Sequence, residues 1–67
     1  MNIDEKVKKD IEEANKLLDN PINKDDREKI LYHLNEARNW VFKTTNPSIY
    51  NKDIKLPIER YKEKYLR

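Results

Sequence analysis

Two stretches of this chain carry apolar residues at intervals of four, three and four: Val7, Ile11, Ala14 and Leu18, then Ile30, Leu34, Ala37 and Val41. An α-helix turns once in 3.6 residues, so each set lies along one side of a helix and needs something apolar to pack against. Asn20-Pro21 separates the two sets. The residue before a proline is pushed out of the helical region, and proline has no N–H to continue the ladder, so the first helix ends there. Two rods with matching seams and a short link close as an antiparallel helical hairpin.

The ends of both helices carry starting signals. Asn2 is followed three residues on by Glu5, and Asp25 by Glu28, the spacing at which side chains satisfy the first backbone N–H groups of a helix. The second helix is expected to open between Asn23 and Asp25 and to reach about Thr44, with Leu31 and Trp40 widening its stripe. Asn46 and Pro47 then begin a segment with little periodicity. Proline suits a first helical turn, so a short third helix is expected from Pro57, with Ile58, Tyr61 and Tyr65 on one face and Leu66 beside it. The predicted architecture is all-α and a single domain: a hairpin over about 3–45, a loop over 46–56, and a short C-terminal helix over about 57–66.

With 67 residues and 42% of them charged, such a fold has a thin core. A core this small rarely supplies more than about 3–5 kcal/mol without disulfides, a metal or oligomerisation. Cysteine is absent and there is one histidine, so neither a disulfide nor a zinc cage is expected, which leaves assembly into a homo-oligomer. No run approaches the roughly 20 apolar residues of a membrane span. The opening Met-Asn-Ile-Asp-Glu-Lys lacks a signal peptide's apolar stretch, and a reducing cytoplasmic location is the expectation.

Composition also narrows function. Glycine is absent, which argues against phosphate-cradling loops. His33 has no second histidine and no candidate nucleophile beside it, so neither catalysis nor a cofactor is expected. The net charge of +2 is too balanced for a general polyanion binder, which disfavours nucleic acid as the partner. Its distribution is uneven: −2 over residues 1–19, +1 over 20–46 and +3 over 47–67, so an anionic ligand is expected to favour the later segments.

The second helix contains Arg27, six residues, Leu34-Asn35-Glu36-Ala37, two residues and Trp40. This layout resembles the helical hairpin shared by phage anti-defence sponge proteins that counter cyclic-oligonucleotide (CBASS) signalling and the cyclic ADP-ribose signal of Thoeris. The resemblance spans 14 contiguous positions, with the preceding helix and link also similar, and departs at Asn35 and Tyr32, where the family usually carries Glu and often Thr. It implies a small helical oligomer, a hexamer by likeness. Its implied ligand is a small anionic cyclic nucleotide, sequestered uncleaved in the host cytoplasm of a phage-encoded protein.

Five residues are candidates for ligand contact: Arg27, Arg38, Trp40, Lys43 and Arg60. Arg27 sits in the first turn of its helix, where a cation opposes the dipole, so it either pairs with an acidic group, such as Asp26 of a neighbouring copy, or contacts phosphate. Trp40 lies beside the apolar seam and either fills a core or offers a stacking platform for a base. Glu36 and Asn35 are either solvated or orient Arg27 of another copy. Arg38 and Lys43 are either solvated charges or the lining of a pocket shared between copies. Arg60 belongs to a tail in which Tyr50, Tyr61 and Tyr65 alternate with Lys55, Lys62, Lys64 and Arg67. That pattern fits nucleotide binding or a helix docking its tyrosine face on the hairpin. The leading expectation is a non-catalytic cyclic-nucleotide sponge; the alternative is a small protein interaction module, a host-factor inhibitor or regulator, with a basic tail.

Overall fold

Asn2 has the extended backbone of a helix cap, and its side-chain oxygen accepts the Glu5 N–H at 2.8 Å, which opens α1 (Ile3–Asp19) as its sequence signal predicts. The structure, a computed structural model, describes residues 2–20 and 24–66. Pro21, Asn23 and Arg67 therefore lie outside the described residues. After α1 come α2 (Asp26–Trp40), a single 3-10 turn (Val41–Lys43) and α3 (Pro47–Tyr65). No helix among the described residues is long and apolar enough to cross a membrane.

The second starting signal works differently from expectation. Asp25 already has helical backbone angles, φ −72° and ψ −15°, and its side chain does not cap α2. A capping side chain reaches back to the first N–H groups only from an extended backbone. Asp25 contributes its carbonyl instead, accepting the Lys29 N–H at 3.1 Å.

The largest departure from the sequence reading is α3. The segment 46–56, expected as a loop, is helical from Pro47 onward, and the C-terminal helix has 19 residues rather than being short. Proline does start this helix, but the proline is Pro47, whose missing N–H falls where no helical partner is needed. Pro57 lies inside the helix, at a cost of about 3 kcal/mol in lost hydrogen bonding and crowding. Burial offsets that cost. Tyr50, Ile54, Pro57 and Tyr61 repeat the four, three, four interval of the first two helices, and all four are buried, Pro57 completely.

Three matching stripes thus face one core. At one end Val7 and Ile11 of α1 meet Ala37 and Val41, with Tyr50 and Ile54 of α3 closing the cluster. At the other, Ala14 and Leu18 meet Ile30 and Leu34, with Tyr61 closing it. This register makes α1 and α2 antiparallel and runs α3 alongside α1. Ile58 packs against both clusters and joins them.

Polar contacts fix both ends of α3 onto α1. The Asp4 carboxylate accepts from the backbone N–H of Thr45 at 3.1 Å, from the Thr45 hydroxyl, and from the Tyr50 hydroxyl at 3.2 Å. At the far end Arg60 donates to Asn15 at 3.0 Å and to Asp19, while Lys64 Nζ donates to the Leu18 carbonyl at 3.2 Å. The last contact meets one of the carbonyls that a helix C-terminus leaves without an internal partner.

Two measurements check this arrangement. In urea unfolding, Ile54→Ala is expected to cost about 2–5 kcal/mol, in the range of Ile30→Ala, while Lys55→Ala stays within about 0.5 kcal/mol. An Ile54→Ala as silent as Lys55→Ala would remove α3 from the core. The second concerns acid. The Thr45 hydroxyl, more than any other neighbour, holds the Asp4 carboxyl below its ordinary 3.8. A depressed value means that Asp4 stabilises the fold above its ordinary 3.8 and loses that contribution as pH falls below 3.8 through the lower folded value. The fall in melting temperature from pH 6 to pH 3 should be smaller in Asp4→Asn than in the native chain; equal falls would exclude Asp4 as a source of acid sensitivity.

Candidate ligand groove

On α2, Leu31, Asn35 and Arg38 follow one another at four and three residues, on the flank next to the buried stripe. On α3, Ile58 and Lys62 are one turn apart on the facing flank. Between these flanks runs a groove of about 170 Å³. Its floor is made by the buried Leu34 and Tyr61, and Leu31 and Leu66 form its rim with 38% and 58% of their surface exposed. Arg38 comes from one wall and Lys62 from the other, and no acidic side chain is among the lining residues. An apolar floor beneath two cations and an amide suits a flat, partly apolar body with an anionic edge.

Arg27 borders this groove through Tyr61. Its Nε donates to the Tyr61 hydroxyl at 2.9 Å, and its guanidinium carbon lies 5.7 Å from the centre of the Tyr65 ring. The two tyrosine rings are 5.0 Å apart, one turn of α3 from each other. The Tyr61 oxygen, by accepting from Nε, favours the charged guanidinium and raises its already high pKa. Among the described residues Arg27 thus contacts two tyrosines of α3, partners that the sequence reading did not consider.

The other candidates lie elsewhere. Trp40 is half-buried against the core cluster at the opposite end of α2, with Lys43 Nζ 4.9 Å from its ring centre. Thirteen residues separate Arg27 from Trp40, about 20 Å along a helix, so one chain does not bring them to a common ligand. Arg60 lies on the opposite flank of α3, tied to α1, beside an open hollow of about 340 Å³ lined by Leu18, Arg60, Glu63 and Lys64. That hollow is larger than the groove, but its charges are mixed and its lining is mostly polar. Of the five candidates, only Arg38 lines the groove.

Glu36 contacts α1 within the chain. It accepts from Lys6 Nζ at 3.2 Å, and Lys6 also meets Asp10 at 3.1 Å. The second Asp10 oxygen lies 2.9 Å from His33 Nδ1. The four side chains form a polar strip on the α1/α2 flank, on a helix face other than the groove. Tyr50 and Tyr61 are buried and Tyr65 is half-buried, so the tyrosines of the tail pack α3 against the hairpin. Among the described residues, no three His, Cys, Asp or Glu side chains gather as metal ligands.

Lys62, Leu31 and Leu66 line the groove without being among the five candidates, Lys62 having stood only as one cation of the tyrosine-bearing tail. Their signal was the run Ile58, Lys62, Leu66 at four-residue steps beside Leu31 and Arg38. It becomes informative only once α3 is known to lie along α2. Comparison of the chain with protein-family models, curated proteins and solved structures finds no match.

Proposed function

We propose that this chain captures a small anionic nucleotide, of the cyclic kind implied by the resemblance in α2, and holds it uncleaved where copies of the protein meet. The observation that carries this reading is the α2/α3 groove, in which Arg38 and Lys62 flank an apolar floor with no lining carboxylate. A base lies against Leu31, Ile58 and Tyr61, and phosphate oxygens take the cations. Base stacking on an aromatic ring is worth about 1–3 kcal/mol, and charge-assisted bonds to phosphate are about twice as strong as neutral ones. Nanomolar capture needs about 12 kcal/mol, which requires several such contacts together in a partly dry site.

A second reading, a helical module that docks on a partner protein, is favoured by Ile49 and Leu56. They lie two turns apart on the α3 flank away from the groove, with 55% and 68% of their surface exposed. A chain that ignores nucleotides but binds one host protein stoichiometrically, and loses it on Leu56→Lys, would replace the capture reading with this one.

Thermal melting against cyclic di- and trinucleotides and cyclic ADP-ribose isomers tests the proposal. A ligand at a hundred times its Kd adds about 2.7 kcal/mol, which raises the melting temperature of a domain this small by on the order of 10 °C. Arg38→Ala should weaken the responding ligand at least about tenfold while leaving the unliganded melting temperature within a few degrees. No response from any ligand, with the ligands recovered at full signalling activity, would reject capture. An unchanged affinity in Arg38→Ala would move the site away from the groove.

A further inference from the structure

Arg38 and Lys62 are cations held over apolar surface without an acidic partner. Among the described residues Lys6, Lys16 and Arg60 are each paired with a carboxylate, whereas neither Arg38 nor Lys62 forms an ion pair. Both line the α2/α3 groove. The lining runs from Leu31 to Arg38 on α2 and from Ile58 to Leu66 on α3, a length of about 10–12 Å, or two helical turns.

Charge, not apolar exposure, singles out this flank. Ile49 and Leu56 on the other flank of α3 are exposed to 55% and 68%, but their helix neighbours Lys52, Asp53, Arg60 and Glu63 carry both signs. The hollow on that side is likewise lined by Glu63 as well as Arg60 and Lys64. The α2/α3 groove alone joins an apolar floor to charges of one sign.

Shape then limits the occupant. Leu34 and Tyr61 are buried in the floor while Arg38 and Lys62 are exposed above it, so a flat anionic bilayer would meet the charges and leave the floor uncovered. A second copy related by a two-fold axis would set Arg38 and Lys62 against themselves, and like charges across an interface repel. A helix from another protein has neither difficulty. Its apolar stripe repeats every three or four residues, so two turns cover a groove of this length, and the residues beside the stripe reach both walls. The volume of about 170 Å³ is below the roughly 300–1,000 Å³ that encloses a whole small ligand, and suits a few anchoring side chains.

We infer that the α2/α3 groove docks an acidic amphipathic helix of a partner protein, whose apolar residues enter the floor and whose carboxylates meet Arg38 and Lys62. This goes beyond the capture reading and does not rest on it. The two occupants use the same cations and the same floor, so each excludes the other, and a nucleotide that fills the groove releases the helix. The coupling is reciprocal: the helix weakens the nucleotide by the same factor.

Fluorescence anisotropy of a labelled synthetic peptide tests this on the full chain. The probe is a helix-forming peptide of about four turns, with leucine along one stripe and glutamate on both sides of it. One control has the same residues scrambled, which keeps the charge and loses the stripe; the other has lysine for every glutamate. The native chain should bind the probe at least about tenfold more tightly than either control. R38E/K62E should reverse the preference and bind the lysine peptide better. Leu31→Lys should weaken the probe and Leu56→Lys should leave it unchanged, with circular dichroism checking the helicity of each variant. Equal binding of the scrambled peptide, an R38E/K62E that keeps the native preference, or a Leu56→Lys that loses the probe would overturn the inference. So would no binding at about 1 mM peptide, and a chain that ignores the probe but sediments with phosphatidylglycerol vesicles would assign the cations to a lipid surface instead. A nucleotide response without peptide binding removes the docking alone. Peptide binding by a chain that ignores every nucleotide removes the capture reading alone.

Discussion

The stripe on α1 is the constraint from which the rest of this structure follows. Val7, Ile11, Ala14 and Leu18 are each almost fully removed from water, and no single neighbouring helix covers them; α2 closes over one side and α3 over the other. Alanine at 14 and at 37 leaves both positions with no surface exposed, which lets α1 and α2 approach closely. With α1 covered from both sides, α2 and α3 diverge on the side away from it. The groove is the space left by that divergence, and its floor is the back of the core.

The first two helices were legible in the sequence because their stripes are made of residues that have no other use for their surface. The third was hidden by chemistry. Tyr50 and Tyr61 read as polar aromatics of a basic tail, and Pro57 read as a boundary, so the same four, three, four interval did not stand out. Proline's local cost is real, but the burial of its ring in a three-helix core offsets it, and no local rule can weigh burial by helices distant in the chain. The same limit explains Arg27. Its place in a helix's first turn marks it as needing a partner, but Tyr61 lies 34 residues on, in a separate helix, and no local spacing relates the two. The cap at Asn2 was legible because it is local, and the one expected at Asp25 failed because the incoming backbone, not the side chain, decides whether a cap can form.

The candidate site follows the same division. Arg38 was visible as a cation on a helix flank, but its significance depends on Lys62 and on the apolar floor between them, which α3 supplies. Trp40, the most conspicuous residue of the resemblance, is placed at the far end of α2 with Lys43 over its ring. A nucleotide contact for both Arg27 and Trp40 therefore requires two chains.

Tyr61 has a consequence for how this molecule tolerates change. Its ring closes one core cluster, its hydroxyl accepts from Arg27, and its side makes part of the groove floor. Architecture and, on the proposed capture reading, recognition are thus vested in one phenol, and the position is barred from the ordinary drift of core residues: an aliphatic replacement would release the arginine, and a smaller one would also open a void beneath the groove. Variation that alters what the groove accepts has to come from its rim, where Leu31, Lys62 and Leu66 can change without disturbing the interior.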